Sequence, residues 1–275
     1  LGAVVKKIAY NNSKYLITYL QNGETCQTEA DYCFSNMPIP LMKDVLEDGH
    51  FEPSFREALH AVYQAQDRDR ITPEGKYQAG FLADTTKVGW QAPRNLWQEA
   101  PGSGAVPIFG GISWSSDEIV QVWYPSDNYH AELGVLTGAY NFQQIAYEWG
   151  QESPSGRLEN ARQGARNLGG NDFAHGLAHG LAIAWQNVPY LQGGWANWSA
   201  VAEKEPGAKN ATYFNALLQG DKDFYIIGDQ LSALPGWQEG AVASAINAVN
   251  KVTDPQYLVP ELDFLPDTRL MVECL

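Results

Sequence analysis

Hydrophobic and polar positions follow two different periods along this chain. LGAVVKKIAY and KYLITYL alternate with the period of a strand. Asn22-Gly23 follows the second run and predicts a tight hairpin into a third strand within TCQTEADYCFSNMP. Pro38 and Pro40 end that region. In PSFREALHAVYQAQDRD the period changes, and Phe55, Leu59 and Val62 fall on one helical face. ITPEGKYQAGFLAD is rich in turn residues and predicts a surface excursion. TTKVGWQAP, EIVQVWYP and ELGVLTGAY are strand-like runs rich in Val, Trp and Tyr, with IFGGISWSSD among them as a Gly-Ser loop. NFQQIAYEW and GRLENARQGARNL are helical by period. NDFAHGLAHGLAIAW also reads as a helix, interrupted by glycines. DFYIIGD predicts a short buried strand, and GAVASAINAVNKV a helix of small residues. The closing TDPQYLVPELDFLPDTRLMVECL is broken by prolines and predicts an extended tail. This order of elements predicts an α+β or mixed α/β class.

Composition narrows the function classes. With 44% hydrophobic and 18% charged residues the chain is globular in type, and no uninterrupted apolar run reaches the length of a membrane span. A net charge of -14 without a basic patch argues against a nucleic-acid partner. A soluble protein is expected, cytoplasmic or secreted. Cys26, Cys33 and Cys274 form neither a disulfide framework nor a CxxC site. The chain opens within a strand-like run, with neither an initiator Met nor a signal-like segment, which predicts a product of processing.

Several stretches carry candidate chemistry. GDQLSALPGWQEGA joins a strand to a helix start through a tight loop. The first N–H groups of a helix lack internal partners and carry positive potential. Asp229 is placed to accept hydrogen bonds from hydroxyls, and Gln238, Glu239, Gly240 and Ala241 to present N–H groups to an electron-rich ring. An ordinary strand-to-helix turn explains the same stretch. Lys87 interrupts an apolar run. Such a lysine either points outward or is buried with a depressed pKa. Trp185, Trp195, Trp198 and Trp237 are either core or the walls of a pocket for a flat ring. His175 and His179 have the i, i+4 spacing of two metal ligands on a helix, but no third ligand stands nearby, so no metal site is expected. GxSxG, a Walker A pattern and GxGxxG do not occur.

Taken together these stretches resemble the flavin-dependent amine oxidase family, and its L-amino-acid oxidase branch in particular. IIGDQLSALPGWQEGA is similar to the closing motif of that family. Three further blocks stand in the family's order: Lys87 with Trp97, Gly110-Gly111 with Tyr124-Pro125, and WQNVPYLQGGW. The opening GAVVKKI resembles the strand on the adenine side of the cofactor. The segment 64–84 and the tail after about residue 252 have no counterpart.

The resemblance implies the following roles. Lys87 matches the lysine that holds a water against the flavin. Tyr140 matches the tyrosine that binds the substrate carboxylate. Trp195 and Trp237 match the aromatic walls facing the flavin, and Gly236 the backbone position that accepts from the substrate amine. Val5, Trp185, Gly228, Asp229, Gly236, Trp237, Gln238, Glu239, Gly240 and Ala241 match the cofactor-binding stretches. Some members attach the flavin through a Cys where this chain has Gly194, so a non-covalent FAD is implied. The implied layout is 1–35 as strands of the FAD-binding domain, 36–190 as a substrate-binding domain with a mixed sheet, 191–252 as a return to the FAD-binding domain, and 253–275 as a tail. The family's GxGxxG segment and its carboxylate-binding arginine are not in this sequence. The resemblance therefore implies one or more partner chains from the same precursor that carry them. The implied reaction converts an L-amino acid and oxygen to a 2-oxo acid, ammonia and hydrogen peroxide. An amino-acid 2-monooxygenase shares the same motifs. A primary amine or polyamine oxidase would have no use for Tyr140, and a non-catalytic subunit would carry no flavin.

Overall fold

The structure, a computed structural model, describes residues 1–99, 106–201, 208–254 and 256–257. The expected tail lies almost wholly outside the described residues. The chain divides into two compact units: unit 1 comprises 1–70, 79–82 and 195–275, and unit 2 comprises 71–78 and 83–194. Residues 36–70 thus pack with the N-terminal strands, not with the segment that follows them. Among the described residues no helix is long and apolar enough to cross a membrane.

Unit 1 begins with an antiparallel meander of β1 (Ala3–Asn11), β2 (Lys14–Gln21) and β3 (Glu24–Ala30). Its turns are two-residue and left-handed in backbone, at Asn12-Ser13 (φ 50° and 61°) and Asn22-Gly23 (φ 51° and 84°). That conformation matches the twist of paired strands, which is why Asn-Gly is favoured there. β4 (Cys33–Ser35) pairs in parallel with β10 (Phe224–Ile226), and so joins two distant parts of the sequence. Helix α1 (Pro53–Asp67) has Pro at its first turn and buries Phe55, Ala58, Leu59, Val62 and Ala65, one face at helical spacing. α5 (Ala208–Gln219) and α6 (Gln238–Thr253) complete the unit. α5 was not anticipated from the sequence. Trp198, 1% exposed, is clamped edge-on between Phe81 and Phe214 at 5.1 Å each, so it belongs to the core and walls no pocket. Phe81 and Leu82 are buried too, so the predicted surface excursion returns to the core before it ends.

Unit 2 is built on a five-stranded sheet in the order β6-β7-β8-β5-β9. The strands are β5 (Thr85–Pro93), β6 (Ile112–Trp114), β7 (Gln121–Trp123), β8 (Leu133–Phe142) and β9 (Ala178–Ala184). Their pairings are antiparallel, so the sheet expected to be mixed is antiparallel among the described residues. α2 (Asn95–Gln98), α3 (Gln143–Gly150) and α4 (Pro154–Gly176) accompany it. Val88, Trp90, Ala92, Leu136 and Ala139 form one core with Trp149 of α3 and Ala161 and Ala165 of α4. The Ser153 hydroxyl caps α4 by accepting from Gly156 N at 3.1 Å.

Two expectations change in unit 2. The Gly-Ser loop contains β6, whose three residues are too few to show a period. The predicted helix through HGLAH is two elements. α4 breaks its helical geometry at Gly170 (φ 81°), ends at Gly176, and is followed by β9. His175 and His179 therefore lie on a helix end and on a strand, and the helical face that would have carried two ligands does not form. Among the described residues no group of three metal-ligating side chains occurs.

Candidate active site

Lys87 and Tyr140 are brought together by a fault in the sheet. Along β8 the alternation places Leu133, Val135 and Thr137 on one face and Leu136 in the core. Strict alternation would send Tyr140 into the core. The register shifts at this point: Val88 pairs with Ala139 and Gly89 with Thr137, so Gly138 is an extra residue. This bulge turns Tyr140 onto the face of Lys87, its direct partner across the strands. Only glycine fits at 138, since a β-carbon there would stand 2.4 Å from Cδ1 of Trp90.

The Lys87 ammonium lies 4.1 Å from the centre of the Tyr140 ring. Tyr140 also meets Phe142 edge-on at 4.4 Å and Trp123 at 6.4 Å. Burial raises the Tyr140 phenol to about 12. Desolvation lowers the Lys87 pKa below its ordinary value, although the residue still reaches the surface. At neutral pH Tyr140 is therefore a protonated donor, suited to an anionic oxygen.

Trp185 opens the turn after β9 and is half-buried. Its neighbour Gln186 fixes that turn. Gln186 donates to Ala146 O at 2.7 Å and accepts from Thr85 N at 3.2 Å. Gly194 sits against Thr85, whose hydroxyl would be 2.6 Å from any β-carbon at that position.

In unit 1 the loop from Gly228 to Ala241 is built around its glycines. Gly228 has φ 109°, and a β-carbon there would meet Asn36 Oδ1 at 2.4 Å. Asp229 accepts from Gly236 N at 2.6 Å through Oδ2, which closes the loop on itself. A β-carbon at Gly240 would meet both Leu234 O and Ser232 Oγ at 2.3 Å, so this glycine lets the loop lie on the start of α6. Trp237 occupies the N-cap position, and no side chain caps the helix. The first N–H groups of α6, with Glu239 among them, are left for another acceptor. Trp237 is 55% exposed. Trp195 is half-buried, and Val5 is half-buried at the bulge of β1, packed on the unit 1 core.

The sequence did not single out Gln230, Asn36 or Trp123. Gln230 is buried and ties the loop to the rest of unit 1. It donates to Met37 O at 3.0 Å and Ile227 O at 3.2 Å, accepts from Ile39 N at 2.9 Å, and its carbonyl accepts from Trp198 Nε1 at 2.8 Å. A polar residue one position after Gly-Asp, just ahead of an apolar residue, was the available signal.

A family model described as "Flavin containing amine oxidoreductase" matches residues 1–253. An L-glutamate oxidase precursor from Streptomyces viridosporus is 23% identical over 203 residues, which is 73% of this chain and 29% of the relative. Solved structures of putrescine oxidase share the fold with a TM-score of 0.64. The wild type bound to putrescine is 16% identical and a triple mutant 18%, each match covering 91% of this chain and 48% of theirs. The chain thus spans about half the length of these solved structures and less than a third of the L-glutamate oxidase precursor.

Proposed function

This chain belongs to the flavin-containing amine oxidoreductases, and we propose that within that family it oxidises an L-amino acid to a 2-oxo acid, ammonia and hydrogen peroxide. FAD is the cofactor of the family. The observation that carries the substrate reading is the bulge that places Tyr140 beside Lys87 on one face of the sheet. A protonated phenol next to a cation suits a carboxylate, which a simple amine lacks.

The residues present fit a flavin in part. The uncapped start of α6, the exposed Trp237 and the closed loop at Asp229 offer N–H donors and an aromatic surface. No cysteine stands at position 194, which supports non-covalent binding. In this reading Gly228, Asp229, 236–241 and Val5 of unit 1 would hold the flavin, and Trp185 of unit 2 would be a further cofactor-binding residue. Tyr140 donates to the carboxylate. Within unit 1, the Gly236 carbonyl would accept from the amine, and Trp195 and Trp237 would position the substrate carbon. Lys87, kept partly desolvated, holds a water. The flavin, when bound, supplies the two-electron oxidation and the return of those electrons to oxygen. Partner chains from the same precursor would supply the GxGxxG segment and a carboxylate-binding arginine.

The test is product analysis on the native protein. Flavin absorbance, with 2-oxo acid, ammonia and peroxide in equal amounts, is the expected result. Amide and carbon dioxide would make it a monooxygenase, and an aldehyde from an amine would make it an amine oxidase. A colourless protein without turnover would leave a non-catalytic subunit.

A further inference from the structure

The uncovered face of the unit 2 sheet has a gap at its centre. Register defines one row across all five strands: Ile112, Trp123, Thr137, Gly89 and Leu181. Directly paired residues share a face. Apart from Thr137 the row has no polar side chain besides the Trp123 indole, and it is open to solvent at Trp123 (40% exposed) and Leu181 (65%). In its middle, Gly89 has no side chain.

The backbone does not require that glycine. Its φ is not left-handed, and a β-carbon at 89 would meet only Leu136 O, at 4.0 Å. Both register shifts beside it arise from extra residues on the neighbouring strands, Gly138 in β8 and one residue between Ala178 and Leu181 in β9. A glycine inside a strand weakens it, and where no bulge demands one it marks a close approach from outside.

We propose that Gly89 is the floor of the subsite for the substrate side chain, and that this subsite takes an apolar side chain, aliphatic or aromatic. The proposal rests on the amino-acid oxidase reading above. Gly89 is two residues along β5 from Lys87 and on the same face, a step of roughly 6.7 Å. Thr137 and Leu181 flank it, each one strand away at roughly 4.8 Å. The space is a slot about 10 Å between strand axes, open next to Lys87 and Tyr140. A carboxylate held at Tyr140 leaves the side chain to lie along this slot. Its surroundings, Trp123, Thr137, Leu181 and Gln91, carry no charge. A carboxylate side chain seated here would find only the neutral donors of Thr137 and Gln91 beside it, whereas an apolar side chain would cover Trp123 and Leu181. The slot therefore favours an apolar side chain over the glutamate for which the Streptomyces relative is named.

The test is Gly89→Ala and Gly89→Val in the native holoenzyme. The readout is the ratio of kcat/KM for L-leucine and L-phenylalanine over L-alanine. Filling the slot by one carbon in Gly89→Ala and by three in Gly89→Val is expected to lower that ratio, by roughly tenfold or more in Gly89→Val. Calorimetry with acetate, butanoate and hexanoate, which cannot be oxidised as amines, gives a second readout. Affinity is expected to rise with chain length in the wild type and to stop rising in Gly89→Val. The melting temperature of both variants is expected to equal or exceed that of the wild type. A folded Gly89→Val enzyme with the wild-type ratio and the wild-type carboxylate series would overturn the subsite while leaving the oxidase reading intact. So would a wild type that prefers L-glutamate to L-leucine. A wild type that oxidises no L-amino acid would overturn the oxidase reading itself, and this proposal with it.

Discussion

The two faces of the unit 2 sheet are made by the same strands and have opposite fates. Val88, Trp90, Leu136 and Ala139 turn one way and are buried in one core with residues of α3 and α4. Val135 and Leu181 turn the other way and are each 65% exposed. An antiparallel sheet with one wet face normally carries polar residues there. This one also carries Trp123, Val135 and Leu181 on its open face, among Lys87, Gln91, Thr137 and Tyr140. Helix α6 of unit 1 repeats the pattern, with Val242, Ile246 and Val249 exposed at helical spacing. Exposed apolar side chains grouped in this way mark a surface that another body covers. On the proposed reading the occupants are the substrate and the remainder of the flavin-binding fold.

The comparison can be broken most directly by deleting apolar atoms on each face. Leu136→Ala on the covered face is expected to cost roughly 2–5 kcal/mol in denaturant unfolding. Leu181→Ala on the open face is expected to stay within about 0.5 kcal/mol. Equal losses would mean that both faces are structural. Lys87→Met sharpens the contrast from the chemical side. It removes a cation from the open face, so stability should hold. The rate with oxygen in the native holoenzyme should fall by roughly a hundredfold, seen as slowed return of the oxidised flavin spectrum. Gly138→Ala tests the bulge between the faces. Its β-carbon would strike Trp90, and a cost of roughly 1–3 kcal/mol is expected, together with weaker substrate binding as Tyr140 is displaced.

The smallest effect is electrostatic. The Tyr140 phenol ordinarily titrates at 10.0 and is raised to about 12 in the fold. Between those values the folded state keeps a proton that the unfolded state has released. The contribution of Tyr140 is therefore complete below pH 10 and declines as pH rises towards 12. Lys87, lowered, acts in the opposite sense as pH approaches 10.5. Tyr140→Phe should flatten the alkaline decline in melting temperature, whereas a parallel profile would place Tyr140 in water.

Much of this fold was legible because its signals are local. Asn22-Gly23 announced its hairpin, and Phe55, Leu59 and Val62 announced α1. Lys87 and Tyr140 could be matched to a family, yet nothing in the period of ELGVLTGAY shows that Tyr140 leaves the core side. That depends on Gly138, whose role is set by Trp90 on another strand. β9 was hidden because AHGLAIA carries His and Gly where strand formers are expected, and its pairing with β5 is a tertiary choice. Gln230 was passed over for the same reason, since its partners Met37 and Ile39 lie far away in sequence. The aromatic dose of the C-terminal third was ambiguous by composition. Only packing separates Trp198, sealed in the core, from Trp237, open at the helix start.

The central claim is that Tyr140, turned out by the bulge, holds the carboxylate of an L-amino acid. Steady-state kinetics of Tyr140→Phe in the native holoenzyme test it most directly. Loss of one hydrogen bond to a charged group is expected to raise KM for the amino acid by roughly ten- to a hundredfold, with the flavin spectrum preserved. An unchanged KM in a folded, flavin-loaded Tyr140→Phe enzyme would contradict the assignment.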